Sequence, residues 1–324
     1  MKKIWLSIVT VVLCMPGWLQ AALTIEITQG MEGAVPIAVV PFASTGQPPP
    51  ENVAQIIAAD LARSGRFAPT AEQDLIARPS EVAQVRFQDW RTLGVDSLVI
   101  GKVESLAGGQ YRVQFRVFDV FRARQLTGYS LPASADNLRH VAHRIADIIY
   151  EQLTGEPGAF ATRIAYVISE SRNGEKQYQL QLADSDGYNP STLLTSQQPL
   201  MSPAWSPDGR RRAYVSFEKG RASIFVQDIG TGQRSELASF AGINGAPSWS
   251  PDGRYIYFTS DRAGGPQVYR VPSAGGTPER VTFEGSYNAR PRLSPDGSRL
   301  AMVHNDRGNF RIAVMDLERR DLLV

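Results

Sequence analysis

The chain has almost no cysteine: it contains one, Cys14, in 324 residues. Cys14 lies in a short apolar run from Ile4 to Met15, which follows two lysines and precedes the small pair Ala21-Ala22. This layout is typical of a cleaved secretory signal, and we expect residues 1–21 to be removed. The mature chain then has no thiol, which excludes a disulfide, a cysteine metal site and a cysteine nucleophile. An exported protein without disulfides fits the bacterial periplasm.

Long hydrophobic runs and an excess of one charge are also lacking. The run from Ile4 to Met15 is shorter than the roughly 20 apolar residues that span a bilayer, and no later run is longer, so we expect no membrane span. The formal net charge of +2 falls to 0 when Lys2 and Lys3 leave with the signal. No basic tract remains, so we expect no nucleic-acid partner.

A repeated motif organises the second half of the chain. Ser-Pro-Asp-Gly closes three segments that are spaced 44 residues apart, namely Pro203–Gly209, Pro247–Gly253 and Pro291–Gly297. Pro-Asp-Gly is a turn sequence, and a period of about 40–45 residues is typical of a four-stranded propeller blade. An earlier unit without the motif has predicted strands at Arg163–Val167, Tyr178–Leu182 and Ser191–Thr195. We expect this first blade to lack its inner strand.

The first half of the chain has mixed helical and strand periodicity without the repeat, which predicts a separate α/β domain. Its expected elements are strands at Leu23–Thr28 and Ile37–Phe42, a helix from Glu51 to about Gly65, a hairpin of Ser97–Glu104 with Tyr111–Phe118, and a helix at Ala135–Leu153.

We therefore predict a two-domain chain in which an N-terminal α/β domain precedes an all-β propeller. The expected division is a signal peptide at 1–21, the α/β domain at 22–155, a hinge at 156–161 and the propeller at 162–324, with units 162–202, 203–246, 247–290 and 291–324. Four units with an unfilled first blade predict an incomplete ring, because propellers close by completing that blade. We expect the sequence itself to be incomplete.

Several segments, in this order along the chain, resemble the TolB family of the Tol–Pal envelope system. They are Ile37–Phe42, Thr162–Val167, Gln198–Gly209 and Asn244–Pro247. The family's propeller has six blades, so the resemblance implies that the C-terminal blade, the closing strand and one internal blade are absent here. The family also has a histidine before Asn-Gly-Ala-Pro, where this chain has Ile243.

The resemblance implies a non-enzymatic periplasmic scaffold. Such a protein binds the lipoprotein Pal at the mouth of the propeller channel and the inner-membrane protein TolA through its mature N-terminus. It maintains outer-membrane integrity and constriction during cell division. Other outer-membrane lipoproteins and bacteriocins are further partners that the resemblance implies.

The resemblance also implies two sets of partner-binding residues. The expected Pal contacts lie in the loops that enter the inner strands: Met201, Ser202, Asn244, Gly245, Ala246, Asn288, Ala289 and Arg290. The expected TolA contacts form an alternating strand that can add to a partner's sheet edge: Leu23, Thr24, Ile25, Glu26, Ile27 and Thr28. Two plainer readings stay open: the strand pairs within its own domain, and the Asn and Gly residues only form turns.

No metal or cofactor site is predicted from the residues. His140 and His143 have helical spacing, but a solvated helix face explains them better, and His304 is expected in a loop. Asp208, Asp252 and Asp296 are better explained as turn residues. The resemblance nevertheless allows a calcium ion in the propeller channel.

Enzyme classes have little support in the sequence. A propeller-gated serine peptidase needs a Gly-x-Ser-x-Gly nucleophile elbow, and the sequence has none. A Gly-rich phosphate loop is missing as well. A propeller that belongs to a peptidase, or that binds carbohydrate or another small ligand, remains the alternative to a scaffold.

Overall fold

A computed structural model describes residues 33–172, 174–306 and 308–323. The predicted signal peptide and the predicted strand Leu23–Thr28 lie outside the described residues. From residue 33 onward the N-terminal domain contains six strands and three α-helices, joined in places by short 3-10 turns. Their bounds are β1 Val35–Val39, β2 Ala43–Thr45, α1 Val53–Arg63, β3 Phe67–Pro69, α2 Phe87–Thr92, β4 Ser97–Ser105, β5 Gln110–Asp119, β6 Arg124–Ser134 and α3 Leu138–Thr154.

The six strands form one mixed sheet in the order β3-β1-β4-β5-β6, with β2 also beside β4. β1 runs parallel to β3 and β4, while β4, β5 and β6 are antiparallel. Alternate residues of β1 enter two cores, Ile37 on the face covered by α1 and α3, and Ala38 on the face that holds Trp90 of α2. Burial of both faces explains why this strand is a nearly continuous apolar run.

Most predicted elements of this domain are confirmed with small shifts at their ends. The hairpin pairs Ser97–Ser105 with Gln110–Asp119. The first helix begins at Val53 rather than Glu51, because the side chain of Asn52 accepts a hydrogen bond from the Gln55 N–H and caps the helix. Strand β6 was not predicted, since its face away from the core is mostly exposed and its apolar residues are few.

Four antiparallel sheets follow, the first with three strands and the others with four. The first contains β7 Arg163–Arg172, β8 Glu175–Asp184 and β9 Ser191–Ser196. The second contains β10 Leu200–Trp205, β11 Arg211–Ser216, β12 Ser223–Asp228 and β13 Arg234–Ala238. The third contains β14 Asn244–Trp249, β15 Tyr255–Ser260, β16 Gln267–Pro272 and β17 Glu279–Arg280. The fourth contains β18 Tyr287–Leu293, β19 Arg299–Asp306, β20 Asn309–Asp316 and β21 Leu322–Leu323.

The prediction of a first blade without an inner strand is confirmed, since β7 pairs only with β8 among the described residues. The two tryptophans of the repeat differ in their hydrogen bonds, according to whether the preceding blade supplies an inner strand. Trp249 Nε1 donates to the carbonyl of Ala204 in the inner strand of the preceding blade, at 3.1 Å. Trp205 follows the three-stranded sheet, and its buried Nε1 has no hydrogen-bond partner among the described residues.

The segment between the two domains lies against α3. The Asp147 carboxylate accepts hydrogen bonds from the backbone N–H groups of Phe160 and Ala161, at 2.7 and 3.1 Å. The Phe160 side chain packs into the core of the N-terminal domain. Residues 160 and 161, at the C-terminal end of the expected hinge, are therefore held to the first domain. In the part of the chain described, no helix is both long and apolar enough to cross a membrane.

Candidate functional site at the propeller mouth

The inner strands of the second, third and fourth blades surround one cavity of about 500 Å³. Corresponding residues of the three blades line it, because the repeat places them at the same point of each inner strand. Met201 and Ile243 project there and are about half exposed. An open cavity with exposed apolar side chains at its rim is a candidate binding site.

Each of these inner strands contains a bulge at the cavity. The strand register shifts between Met201 and Ala204 in β10, and at the equivalent points of β14 and β18. Within each bulge one non-glycine residue has a left-handed backbone: Ser202, Ala246 and Arg290 have φ of 52°, 51° and 57°. Left-handed backbone at a non-glycine residue is strained, and such strain concentrates at functional sites. The bulges turn the start of each strand toward the cavity.

Two buried amides hold the strands that carry the bulges. Asn244 is fully buried, and its Nδ2 donates to the carbonyls of Ala222 and Phe240, at 3.1 and 2.7 Å. Asn288 occupies the same place in the next blade, where Nδ2 donates to Gln267 Oε1 at 2.9 Å and to the Glu284 carbonyl at 2.7 Å. These side chains position the mouth from inside the protein.

The cavity is cationic. Arg221, Arg290 and Arg292 line it, all of them exposed, and the described residues of its lining include no carboxylate. The Arg290 N–H donates to Thr259 Oγ1 of the preceding blade at 3.0 Å, which fixes the backbone that carries this side chain. A partner surface with acidic groups is therefore favoured on electrostatic grounds.

Seven of the eight residues predicted to contact Pal line this cavity, and Asn288 does not. Sequence reasoning missed the arginines at 221 and 292, which lie on a loop and on the same strand as Arg290. Position 292 carried a usable signal, because it lies two residues beyond Arg290 in a predicted inner strand. The predicted TolA contacts lie outside the described residues.

The three Pro-Asp-Gly aspartates are turn residues, as predicted. Asp208 accepts hydrogen bonds from Ser206 Oγ and from the Arg210 N–H, and Asp252 and Asp296 do the same in their own blades. The Ser294 hydroxyl, followed by the Ser298 N–H and hydroxyl, lowers the pKa of Asp296 to about 2. These carboxylates stabilise turns beyond the other end of the inner strands.

Two histidine predictions are wrong. His304 lies in β19 rather than in a loop, is 4% exposed, and has its Nδ1 2.8 Å from Asn288 Oδ1. His143 is buried rather than on a solvated helix face, whereas His140 is exposed as predicted. Both errors have one cause: burial depends on residues that are distant in sequence.

The fold and the site define a two-domain protein in which an α/β domain precedes a β-propeller with an open cavity between its inner strands. Its sequence belongs to the TolB family. The TolB amino-terminal domain matches residues 23–126, and the TolB beta propeller domain matches residues 150–256 and 247–324. The resemblance read from the segments at 37–42, 162–167, 198–209 and 244–247 is thereby confirmed.

Similar proteins carry the name Tol-Pal system protein TolB. The one from Nitrosococcus oceani is 59% identical over 227 residues, 70% of this chain and 52% of that protein. The one from Thioalkalivibrio sulfidiphilus is 50% identical over 246 residues, 75% and 57% of the two chains. The chain thus spans about half the length of these curated relatives. The solved structure of TolB from Acinetobacter baumannii is 35% identical, covers 92% of this chain and 84% of that one, and has a TM-score of 0.67.

Proposed function

We propose that this chain is a non-enzymatic periplasmic scaffold of the Tol–Pal system that binds Pal in the cavity at the propeller mouth. In this role it maintains the integrity of the outer membrane and its constriction during cell division. The similarity to proteins named Tol-Pal system protein TolB supports the assignment of this chain to that system. The observation that carries the site is the convergence of three bulged inner strands on one open cavity.

The contacts divide by the nature of the side chains. Met201 and Ile243 offer exposed apolar area at the cavity, and apolar side chains that become buried on binding supply much of the binding energy of protein interfaces. Arg290 and Arg292 offer charge at the rim, which speeds association and selects an acidic partner surface. Asn244 and Asn288 act through the backbone, because their amides are already bonded within the protein.

Gly245 offers a way to fill the cavity without disturbing the fold. Its φ is outside the left-handed region, and a Cβ at this position would meet no atom within 4 Å. In Gly245→Trp the indole therefore occupies the space where Pal is proposed to bind. We expect the dissociation constant for the periplasmic domain of Pal to rise at least about tenfold, a change of about 1.4 kcal/mol. Isothermal titration calorimetry measures it.

Arg254→Trp is the matched control. Arg254 is exposed and lies in the turn after β14, beyond the end of the strand remote from the cavity. The control is expected to bind Pal as the native chain does, with the same melting temperature as Gly245→Trp. Equal Pal affinity for the native chain and Gly245→Trp would remove the cavity from the proposal.

TolA is proposed to bind the segment Leu23–Thr28. A segment of alternating apolar and polar residues is suited to strand addition at a partner's sheet edge. Deletion of residues 22–30 is expected to abolish TolA binding and leave Pal binding unchanged, as measured with the two purified periplasmic partners. If TolA still binds after the deletion, the segment is only structural.

A further inference from the structure

A polar cluster lies between the two domains, apart from the propeller mouth. His143 of α3 lies at its centre and is 1% exposed, with Nδ1 2.6 Å from Oδ2 of Asp60 in α1. Asp184, the last residue of β8, and Asp186, in the turn after it, reach the cluster from the first blade. The cluster therefore joins side chains of the N-terminal domain to side chains of the propeller.

The second ring nitrogen of His143 identifies what the cluster lacks. The Asp60 carboxylate accepts the bond from Nδ1, so the proton of a neutral imidazole lies on Nδ1 and Nε2 presents a lone pair. Nε2 is buried, and no described residue offers it a hydrogen-bond partner. Oδ2 of Asp186 stands 3.7 Å away, which is too long for a hydrogen bond. A buried nitrogen without a protein partner is a position that a bound ion or water can fill.

We propose that His143, Asp184 and Asp186 form a divalent metal site that fastens α3 to the first blade. One ligand atom from each of the three lies within 4.8 Å of the other two. Tetrahedral ligands at about 2.0–2.2 Å from zinc stand about 3.3–3.6 Å apart, so binding draws these atoms together by at most about 1.5 Å. The site goes beyond the proposed Pal function and does not depend on it.

Asp60 supplies the support that a metal-bound histidine needs. A carboxylate that accepts the other ring N–H fixes the orientation of the imidazole and increases the basicity of its metal-binding nitrogen. Asp60 is 1% exposed and is itself held by Arg63, whose Nη2 lies 2.6 Å from Oδ1. The histidine is thus oriented before any ion binds.

Arg139 contacts the Asp186 carboxylate, so the site must accommodate a neighbouring guanidinium. Arg139 has two other partners, which are Glu51 Oε2 at 3.3 Å and the ring of Tyr188, 3.7 Å below its guanidinium carbon. A cation that takes the Asp186 oxygen leaves Arg139 with both. Asp186 Oδ1 meanwhile accepts the Tyr188 N–H at 3.0 Å, which holds the turn in place.

The donor set selects the class of metal. One imidazole nitrogen and two carboxylates suit Zn²⁺ or a similar first-row divalent ion, whereas Ca²⁺ and Mg²⁺ prefer oxygen alone. Three protein ligands leave a fourth position for water, and Asp184 and Asp186 are only partly buried, which leaves that side open to solvent. The role is structural: the ion adds a bond across the boundary between the domains.

The test is metal titration of the full chain after chelator treatment. Co²⁺ is the probe, since its visible absorption reports four- or five-coordinate binding, and Zn²⁺ displaces it. We expect one saturable Co²⁺ site in the native chain. Asp184→Asn and His143→Gln are expected to raise the dissociation constant at least about tenfold. Glu151→Gln, at an exposed carboxylate two turns further along the same helix, is the matched control and is expected to bind as the native chain does.

Thermal unfolding gives a second readout that does not depend on colour. Zn²⁺ is expected to raise the melting temperature of the native chain and of Glu151→Gln, because the ion binds the folded state, and to leave the melting temperature of Asp184→Asn unchanged. Asp184 is partly exposed, so this variant keeps the test decisive if His143→Gln fails to fold. The proposal is overturned if the native chain shows no saturable site, or if Asp184→Asn binds the ion equally well.

Discussion

At the scale of single residues, the propeller mouth depends on two buried amide side chains. Both N–H groups and the oxygen of the Asn288 side-chain amide have partners inside the protein, namely Gln267, the Glu284 carbonyl and His304. Asn244 does the same one blade earlier. Satisfied buried amides specify one backbone position, because any other leaves polar groups without partners.

Asn288→Ala is expected to destabilise the fold by about 2–3 kcal/mol, since it leaves the partners of the amide buried and unpaired. Asn309→Ala, at an exposed strand position, should change the free energy of unfolding by no more than about 0.5 kcal/mol. Urea unfolding of both variants measures the difference. Similar values for the two would show that the buried amide has no special role.

Asp296→Ala is expected to destabilise the fold at pH 7 and less so in acid. The folded chain lowers the pKa of Asp296 from 3.8 to about 2, so the ionised carboxylate stabilises the folded state above pH 3.8. This contribution is lost as the pH falls through about 2. Chemical unfolding of the variant and the native chain over this pH range measures the difference in their free energies of unfolding, which should become smaller as the pH falls. Asp321→Ala, at an exposed carboxylate, is the control, and a gap independent of pH would contradict the account.

The turn aspartates could be predicted from sequence and the buried histidines could not. Pro, Asp and Gly act on their own turn, so the role of Asp208 follows from its neighbours. His143 owes its burial to Asp60 and Asp186, which are far from it along the chain. No local pattern reports such a meeting. The local pattern therefore predicted a solvated helix face for His143, which in fact lies buried between two domains.

At the scale of elements, the bulged inner strands are the feature that makes the mouth. The repeat predicted the position of each strand, but the bulges at 201–204, 245–248 and 289–292 were not foreseen. Ser, Ala and Arg at the left-handed positions give no warning, because glycine or asparagine is the usual signal. Strand β6 was not predicted for a similar reason: it is a mostly exposed edge strand with few apolar residues, so its sequence has no clear strand pattern.

Ala246→Gly is expected to stabilise the fold by about 0.5 kcal/mol. Glycine relieves a left-handed strain of about 1–2 kcal/mol and loses about 0.5–1 kcal/mol through added freedom in the unfolded chain. Ala204→Gly in the neighbouring inner strand has no such strain to relieve and should destabilise by about 0.5–1 kcal/mol. Opposite signs in thermal unfolding are the expected outcome. Destabilisation by both would mean that the bulge at Ala246 is relaxed.

At the scale of the whole molecule, the 44-residue repeat decides the architecture, and the residues that the structure describes supply three strands to the first propeller sheet. Both features were predicted from the sequence. The repeated motif marks the inner strand of three blades, and it is missing before the first blade. The orphaned Trp205 Nε1, against the bonded Trp249 Nε1, is the local trace of that difference. The division of the chain at 155 and 162 stays a prediction, although Phe160 packs with the first domain.

The cavity at the propeller mouth as the Pal site is the central claim, and site-specific photo-cross-linking tests it most directly. A photoreactive side chain at position 201, in place of the half-exposed Met201, is expected to capture the periplasmic domain of Pal. The same group in place of Arg254, beyond the far end of the inner strand, should capture none. Cross-links to Pal from position 254 and none from position 201 would contradict the account.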